Sequence, residues 1–281
     1  MPSIRLEGIA YWTTVVVVFL AVAIWESLAP CRKLSHPAER RWSRHGILLA
    51  ISFVLGSVLL RLSPIAVASL AAGNRHGALR WFPLAAACLL TIVALDLVQY
   101  AVHWTFHRVP LLWRIHEVHH SDPDFDVSTA ARFHPFEVLI TQAVAGGAIF
   151  VLAAPAGAVL LWEILKMSLN LAEHANASLH PQLETMVRTV LVTPDMHRIH
   201  HSEEVAEQSR NLGQIFPWWD RLFGTYVSSP AAGRKLVTGL RGFQNSRSLE
   251  LGFMLAEPFR MSKERQLAPA TSTEYDQASR D

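Results

Sequence analysis

Four apolar stretches, at about 9–29, 47–72, 82–102 and 138–172, constrain this sequence more than any other feature. A helix crosses the hydrocarbon core of a bilayer with about 20 apolar residues, and inside lipid a helix satisfies all of its own backbone polar groups. The first and third stretches have that length. The second contains Arg61 and Pro64, which predicts a kink, with Arg61 facing protein or snorkelling. The fourth is too long for one crossing. The segment AAPAG (Ala153 to Gly157) interrupts it, and a proline inside a helix removes a backbone hydrogen bond and clashes with the preceding turn. Two helices joined at Pro155 as a hairpin is the expectation. The fold class that follows is all-α, an integral membrane helical bundle of about four spans.

Composition agrees with contact to lipid. Apolar residues make up 51% of the chain and charged residues 17%, and there are nine tryptophans, a residue that gathers at membrane interfaces. The initial run YWTTVVVVFLAVAIW is followed by Glu26 without a small-residue cleavage pattern, so it reads as an uncleaved span. A net charge of +2 without a basic, aromatic-interleaved stripe speaks against a nucleic-acid partner. Cys31 and Cys88 share no motif, so neither a disulfide framework nor a thiolate metal site can be built from them. Metal chemistry has to come from imidazole and carboxylate.

Loop charge suggests an orientation. The segment after the first span carries Arg32, Lys33, Arg40, Arg41 and Arg44, and the link between the second and third spans only Arg75 and Arg80. The positive-inside rule puts the richer loop in the cytoplasm, and the third span then returns the chain to that side near residue 103. Every clustered histidine follows. If the fourth stretch is a hairpin, all of them share the cytoplasmic face. Along the chain this gives an N-terminal transmembrane region at 1–95, a histidine-rich region at 96–226 and a polar C-terminal region at 227–281. WWDRLFGTY (Trp218 to Tyr226) reads as an amphipathic interfacial segment, and disorder is expected from Ser262 onward.

Eleven of the fourteen histidines lie between 103 and 201. HWTFH sets His103 and His107 four apart, on one helix face. HEVHH carries His116, His119 and His120, and the same spacing returns in HRIHH as His197, His200 and His201. In such a motif the first two histidines share a face, and the third is turned about 100° further round. One helix turn can therefore serve two neighbouring metals, and two facing turns suggest a dinuclear centre. A pH-sensing histidine cluster accounts for the number of histidines but not for the repeated spacing. Imidazole alone does not choose among Fe, Zn, Cu and Ni. The count does exceed the four ligands of a closed structural zinc site, which favours two metals with open positions. Asp96 shares a helix face with His103, with Tyr100 between them, and Glu117, Asp122, Asp124, Glu137, Glu173 and Asp195 are further acids near the motifs. Such groups suit the role of hydrogen-bond partners to metal-bound histidines.

Taken together, HWTFH, HEVHHSDPDFDVSTAARFHPFE, EHAN, TPDMHRIHHS and WWDRLFGTY resemble the fatty acid hydroxylase/sterol desaturase superfamily, from about Asp96 to Tyr226. The resemblance implies a non-haem dimetal enzyme in the membrane. It would use O2 and external electrons to hydroxylate or desaturate a lipid, with two Fe ions that zinc can replace on purification. By position it makes His103, His107, His116, His119, His120, His197, His200 and His201 metal ligands and adds His174 of EHAN. His180 is then either a loop residue or an additional ligand, and His134 of RFHPFE supports the site, as would Asp96, Tyr100, Glu137 and Asp195. The electron donor would be a separate protein. Two other readings stay open on the residues alone. One is a membrane dizinc hydrolase with a general base such as Glu117. The other is a non-enzymatic metal carrier, whose ligands would line a path across the membrane.

Overall fold

The computed structural model describes residues 2–260; the tail from Ser262 lies outside them. Helix α1 (Pro2–Leu28) is followed by α2 (Ala38–Leu60), α3 (Pro64–Ala71) and α4 (Leu84–Arg108). Next come α5 (Pro110–His120), α6 (Pro135–Leu152) and α7 (Ala156–Glu173). Shorter helices complete the chain: α8 (Pro181–Val187), α9 (Pro194–His200), α10 (Val205–Gln208), α11 (Trp218–Phe223) and α12 (Leu251–Ala256). Among the described residues no strand forms, and one isolated bridge joins Ser202 to Thr238.

Four helical stretches are long and apolar enough to cross a membrane: Glu7–Leu28, Ala38–Ala71, Leu84–Arg108 and Pro135–Leu152. Their outer faces expose Val16, Val17 and Leu20 of α1, Phe53, Val54 and Val58 of α2, Leu89 of α4 and Val151 of α6. A soluble monomer does not tolerate so continuous an apolar exterior; here it meets acyl chains. The second stretch is broken rather than kinked. Arg61, exposed and at φ 57°, terminates α2, and Ser63 restarts the chain by accepting the Ala66 N–H on its Oγ, with Pro64 in the first turn of α3. The fourth stretch is two helices, as its length and Pro155 require. Ala153, at φ 50°, ends α6, and Pro155 precedes α7. Around this turn the loop before α4 packs closely: Ala78 N–H donates to Val151 O and Leu79 N–H to Leu152 O. A Cβ on Gly77 would lie 2.0 Å from that of Ala153, so only glycine fits there. Returning helix α7 carries Glu163 and Lys166. They partner each other at 3.8 Å, and the ammonium sits 4.3 Å from the centre of the Trp162 ring.

Leu95, Ala145, Ile149, Val159 and Trp162 form the centre of the bundle, where α4, α6 and α7 meet. The helices alternate in direction, so one end of the bundle collects the end of α1, the start of α2, the ends of α4 and α7 and the start of α6. The loop after α5 is the fastening at that end. Buried Arg41 donates to Asp122 at 2.7 Å and also pairs with Asp126, while Trp42 Nε1 donates to Asp126 at 3.2 Å. Arg132 donates to Val118 O, Ser121 Oγ and Ser248 O at 2.7–2.9 Å. Glu26 of α1 accepts the N–H groups of both Val127 and Asn176. Burial raises the cost of ionising Asp122, but Arg41, His45 and Arg132 outweigh it and hold the carboxyl below the usual range. Removing one member of such a buried ionic set costs about 3–5 kcal/mol, because the remaining charge is stranded.

Candidate metal centre

The nine histidines of the two HxxHH turns, the HWTFH pair and EHAN converge at this end as two buried groups. His103, His107, His116, His120 and His200 form one, and His119, His174, His197 and His201 the other; within each group the potential ligand atoms all lie within 4.8 Å of one another. Each HxxHH turn serves both groups, though with a different partition from the one its spacing suggests. His116 and His120 go together and His119 crosses over, just as His197 and His201 go together and His200 crosses over. On an α-helix, positions four apart differ by about 40° around the axis and positions three apart by about 60°, so the pair four apart converges better. The groups are neighbours: the rings of His120 and His201 stack across the boundary at 4.5 Å.

Hydrogen bonds fix the tautomers of four of these rings. His103 Nδ1 lies 2.9 Å from Leu212 O, His174 Nδ1 2.7 Å from Asn170 O and His200 Nδ1 2.9 Å from Arg210 O. A carbonyl only accepts, so each of these Nδ1 atoms carries its proton and leaves Nε2 a bare lone pair. His116 Nδ1 donates in the same way to Glu137 Oε1 at 2.7 Å. Yet His103 Nε2 and His116 Nε2 face each other at 3.1 Å. In the second group, His174 Nε2 lies 3.2 Å from His119 Nε2 and 3.1 Å from His197 Nε2. The His103 and His116 lone pairs cannot hydrogen-bond each other, and in the second group His174 is the ring fixed in this way, since Nδ1 of His119 and of His197 has no partner. What suits such facing atoms is a shared cation: ligands at about 2.1 Å from one metal and at right angles to each other are separated by about 3.0 Å. The residues present therefore fit two metal ions.

Burial keeps these imidazoles neutral, the form that binds a metal. It pushes His116 from 6.5 down to about 3 and His174 down to about 4. His119, His120, His197, His200 and His201 are driven well below 6.5 by burial and then by neighbouring imidazoles.

The acids and remaining histidines divide between those that bear on the two groups and those that do not. Glu137 is bonded to His116, as described. His134 caps α6, accepting the Phe136 N–H on Nδ1, with Nε2 directed at Leu255 O. It stays outside both groups but sets the start of the helix that carries Glu137. His180 is exposed ahead of α8 and belongs to neither group. Asp96 bonds no histidine: it accepts from Ile215 N, Phe216 N and Trp219 Nε1 at 2.8–3.2 Å. Seven helical residues put it about 10 Å along the axis from His103, too far for contact despite the shared face. Tyr100 hydrogen-bonds Thr225 through its hydroxyl, and Asp195 pairs with Arg198 at 2.6 Å.

Sequence reasoning missed Asp220. Buried within α11, it accepts Leu212 N–H and the Thr225 hydroxyl on Oδ1 and Gly213 N–H on Oδ2. It thereby holds the segment whose carbonyls orient His103 and His200. A Cβ at Gly213 would lie 2.8 Å from that carboxylate. The only sequence signal was an acid inside an otherwise aromatic, amphipathic helix. Trp218, Leu222 and Phe223 of the same helix are exposed and apolar, which suits an interfacial position.

The family model for fatty acid hydroxylase matches residues 88–225, a segment that holds all nine histidines and the loop that orients them. The chain belongs to the fatty acid hydroxylase/sterol desaturase superfamily. It is 26% identical to an ornithine lipid hydroxylase of Rhizobium tropici over 261 residues, 90% of this chain and 75% of that protein. It is 28% identical to the human alkylglycerol monooxygenase over 53% of this chain and 32% of that one, and 29% identical to methylsterol monooxygenase 1 of Rattus norvegicus over 56% and 52%. The chain thus spans about a third and a half of the latter two. No solved structure matches it significantly.

The shifted histidines give stability a pH dependence. In the metal-free chain the folded pKa values lie below the ordinary 6.5, so the unfolded state binds more protons at pH values below about 6.5. The thermal midpoint of metal-free protein in detergent is expected to fall steadily as pH drops from about 6.5 toward 4. A midpoint independent of pH over that window contradicts burial as neutral imidazole.

Proposed function

We propose that this chain is a membrane-bound, non-haem di-iron oxygenase that hydroxylates, or desaturates, a C–H bond of a lipid, using O2 and electrons from a separate protein. The observation that carries this reading is the pair of adjacent, buried all-imidazole groups, in the first of which the fixed lone pairs of His103 and His116 face one another. His103, His107, His116, His120 and His200 would hold one iron, and His119, His174, His197 and His201 the other. When bound, the two irons would supply O2 activation and the oxidation of an unactivated C–H bond.

The chain's own residues do the positioning. Leu212 O, Arg210 O, Asn170 O and Glu137 hold four rings in the tautomer that presents Nε2. Phe125 and Phe133 pack against histidines of the second group and help to exclude water. Because α4 and α7 carry their histidines straight out of apolar helices, a lipid would approach from the bilayer, and a dry site would hold its reacting carbon in place. A metal carrier needs ligands spread along a path across the membrane, whereas all nine sit at one end. The names of the relatives, lipid hydroxylase and monooxygenases, point to the same chemistry. With the loop charges of Arg32, Lys33, Arg40, Arg41 and Arg44, that end would face the cytoplasm.

Two measurements test this reading. Cells expressing the chain under an 18O2 atmosphere are expected to accumulate a lipid carrying one 18O atom, or one that has lost two hydrogens, and neither His119→Ala nor His200→Ala should produce it. A product whose new oxygen comes from water would instead support a dizinc hydrolase, and an unchanged lipid profile contradicts the oxygenase. For orientation, Cys31 is exposed at the metal end. An impermeant thiol reagent is expected to label it in inside-out vesicles and not in intact cells; the reverse pattern overturns the cytoplasmic placement.

A further inference from the structure

The two histidine groups are unequal, five imidazoles against four. Beside the smaller one lies Glu173, the last residue of α7 and the neighbour of His174. Its side chain is buried, and neither carboxylate oxygen has a hydrogen-bond partner. Other buried acids at this end are engaged: Glu137 on His116, Asp122 and Asp126 on Arg41, Asp220 on two backbone N–H groups. A buried carboxylate without partners is strongly unfavourable, and a native structure that retains one points to a missing cation or proton. Asp96 on α4 adds a second negative charge near Glu173 rather than relieving it.

Distance names the counterpart. Glu173 Oε1 lies 3.8 Å from His197 Nε2, the nitrogen that faces His174 Nε2 at 3.1 Å and His201 Nε2 at 3.2 Å. Two donors can share a metal only if they are no further apart than two metal–ligand bonds, about 4.2 Å. Glu173 meets this limit with His197 but lies outside the four-histidine group, so joining the same metal requires its side chain to rotate inward. We propose that the Glu173 carboxylate is a fifth donor to the second metal, making that position four imidazoles plus one carboxylate while the first remains all imidazole. This rests on the reading of the histidine groups as a dimetal centre. A hard, anionic oxygen donor suits iron or manganese better than a soft cation such as copper(I), and it would make the two metals electronically distinct.

The test is anaerobic titration of the metal-free chain, in detergent, with Fe(II), followed by metal analysis and repeated with Co(II) to read coordination in the visible spectrum. Wild type is expected to take up two equivalents. Glu173→Gln keeps the shape and removes the charge. It is expected to bind the first equivalent unchanged and the second at least tenfold more weakly, with an altered spectrum for the second cobalt alone. Should that variant not fold, Glu173→Asp carries the same test, since it keeps the charge but withdraws the oxygen by one methylene, and the same selective weakening is expected. Uptake of both equivalents with wild-type affinity and spectra in these variants overturns the proposal. A wild type that binds no metal overturns the dimetal reading itself, a separate outcome.

Discussion

Imidazole Nε2 atoms held face to face at 3.1–3.3 Å, with the Nδ1 protons of His103, His116 and His174 committed elsewhere, are the constraint on which the remainder of the structure depends. Without a cation the His103–His116 contact is repulsive, and nine buried histidines add a penalty for protonation. With two cations the same geometry becomes a preformed site. Much of the architecture serves to make that arrangement possible. The helices alternate so that the ends of α4 and α7, the whole of α5 and the short α9 reach one end of the bundle, and the Pro155 turn brings α7 back to it.

Holding that end together requires polar contacts that a membrane bundle cannot obtain from hydrophobic packing, because lipid tails are as apolar as leucine. The Arg41–Asp122–Asp126 set, Arg132 with its three oxygen acceptors and Glu26 with its two N–H donors tie α1, α2 and the α5–α6 loop into one frame. A second frame, built on Asp220 and Asp96, fixes the 210–219 segment whose carbonyls hold His103 and His200. The site is thus suspended between two polar frames, and a substitution in either can disturb the metals without touching a ligand.

Much of this was legible in the sequence because it rests on side-chain type at helical spacing. The spans and the hairpin at Pro155 follow from apolar length and proline chemistry, the interruption at Arg61–Pro64 was expected as a kink and is a full break, and the two HxxHH turns and HxxxH pair announce themselves by repetition. What was not legible depends on the third dimension. Angular position on a helix says nothing about axial reach, so Asp96 shared a face with His103 while bonding a loop two turns away. Asp195, in the first turn of α9, faces Arg198 rather than the site. His180, placed after EHAN, reads equally as a loop residue or one more ligand, and it sits exposed in a loop. The carbonyls of Leu212, Arg210 and Asn170 leave no mark in the sequence at all, because any residue has one.

The most direct test is Mössbauer spectroscopy on iron-57-enriched protein, purified anaerobically in detergent and paired with metal analysis. Two iron ions per chain, magnetically coupled as neighbours in one centre and lost together in His119→Ala or His200→Ala, are the expected result. Zinc alone under iron-replete growth, or no stoichiometric metal, would contradict it and leave the facing lone pairs without a counterion.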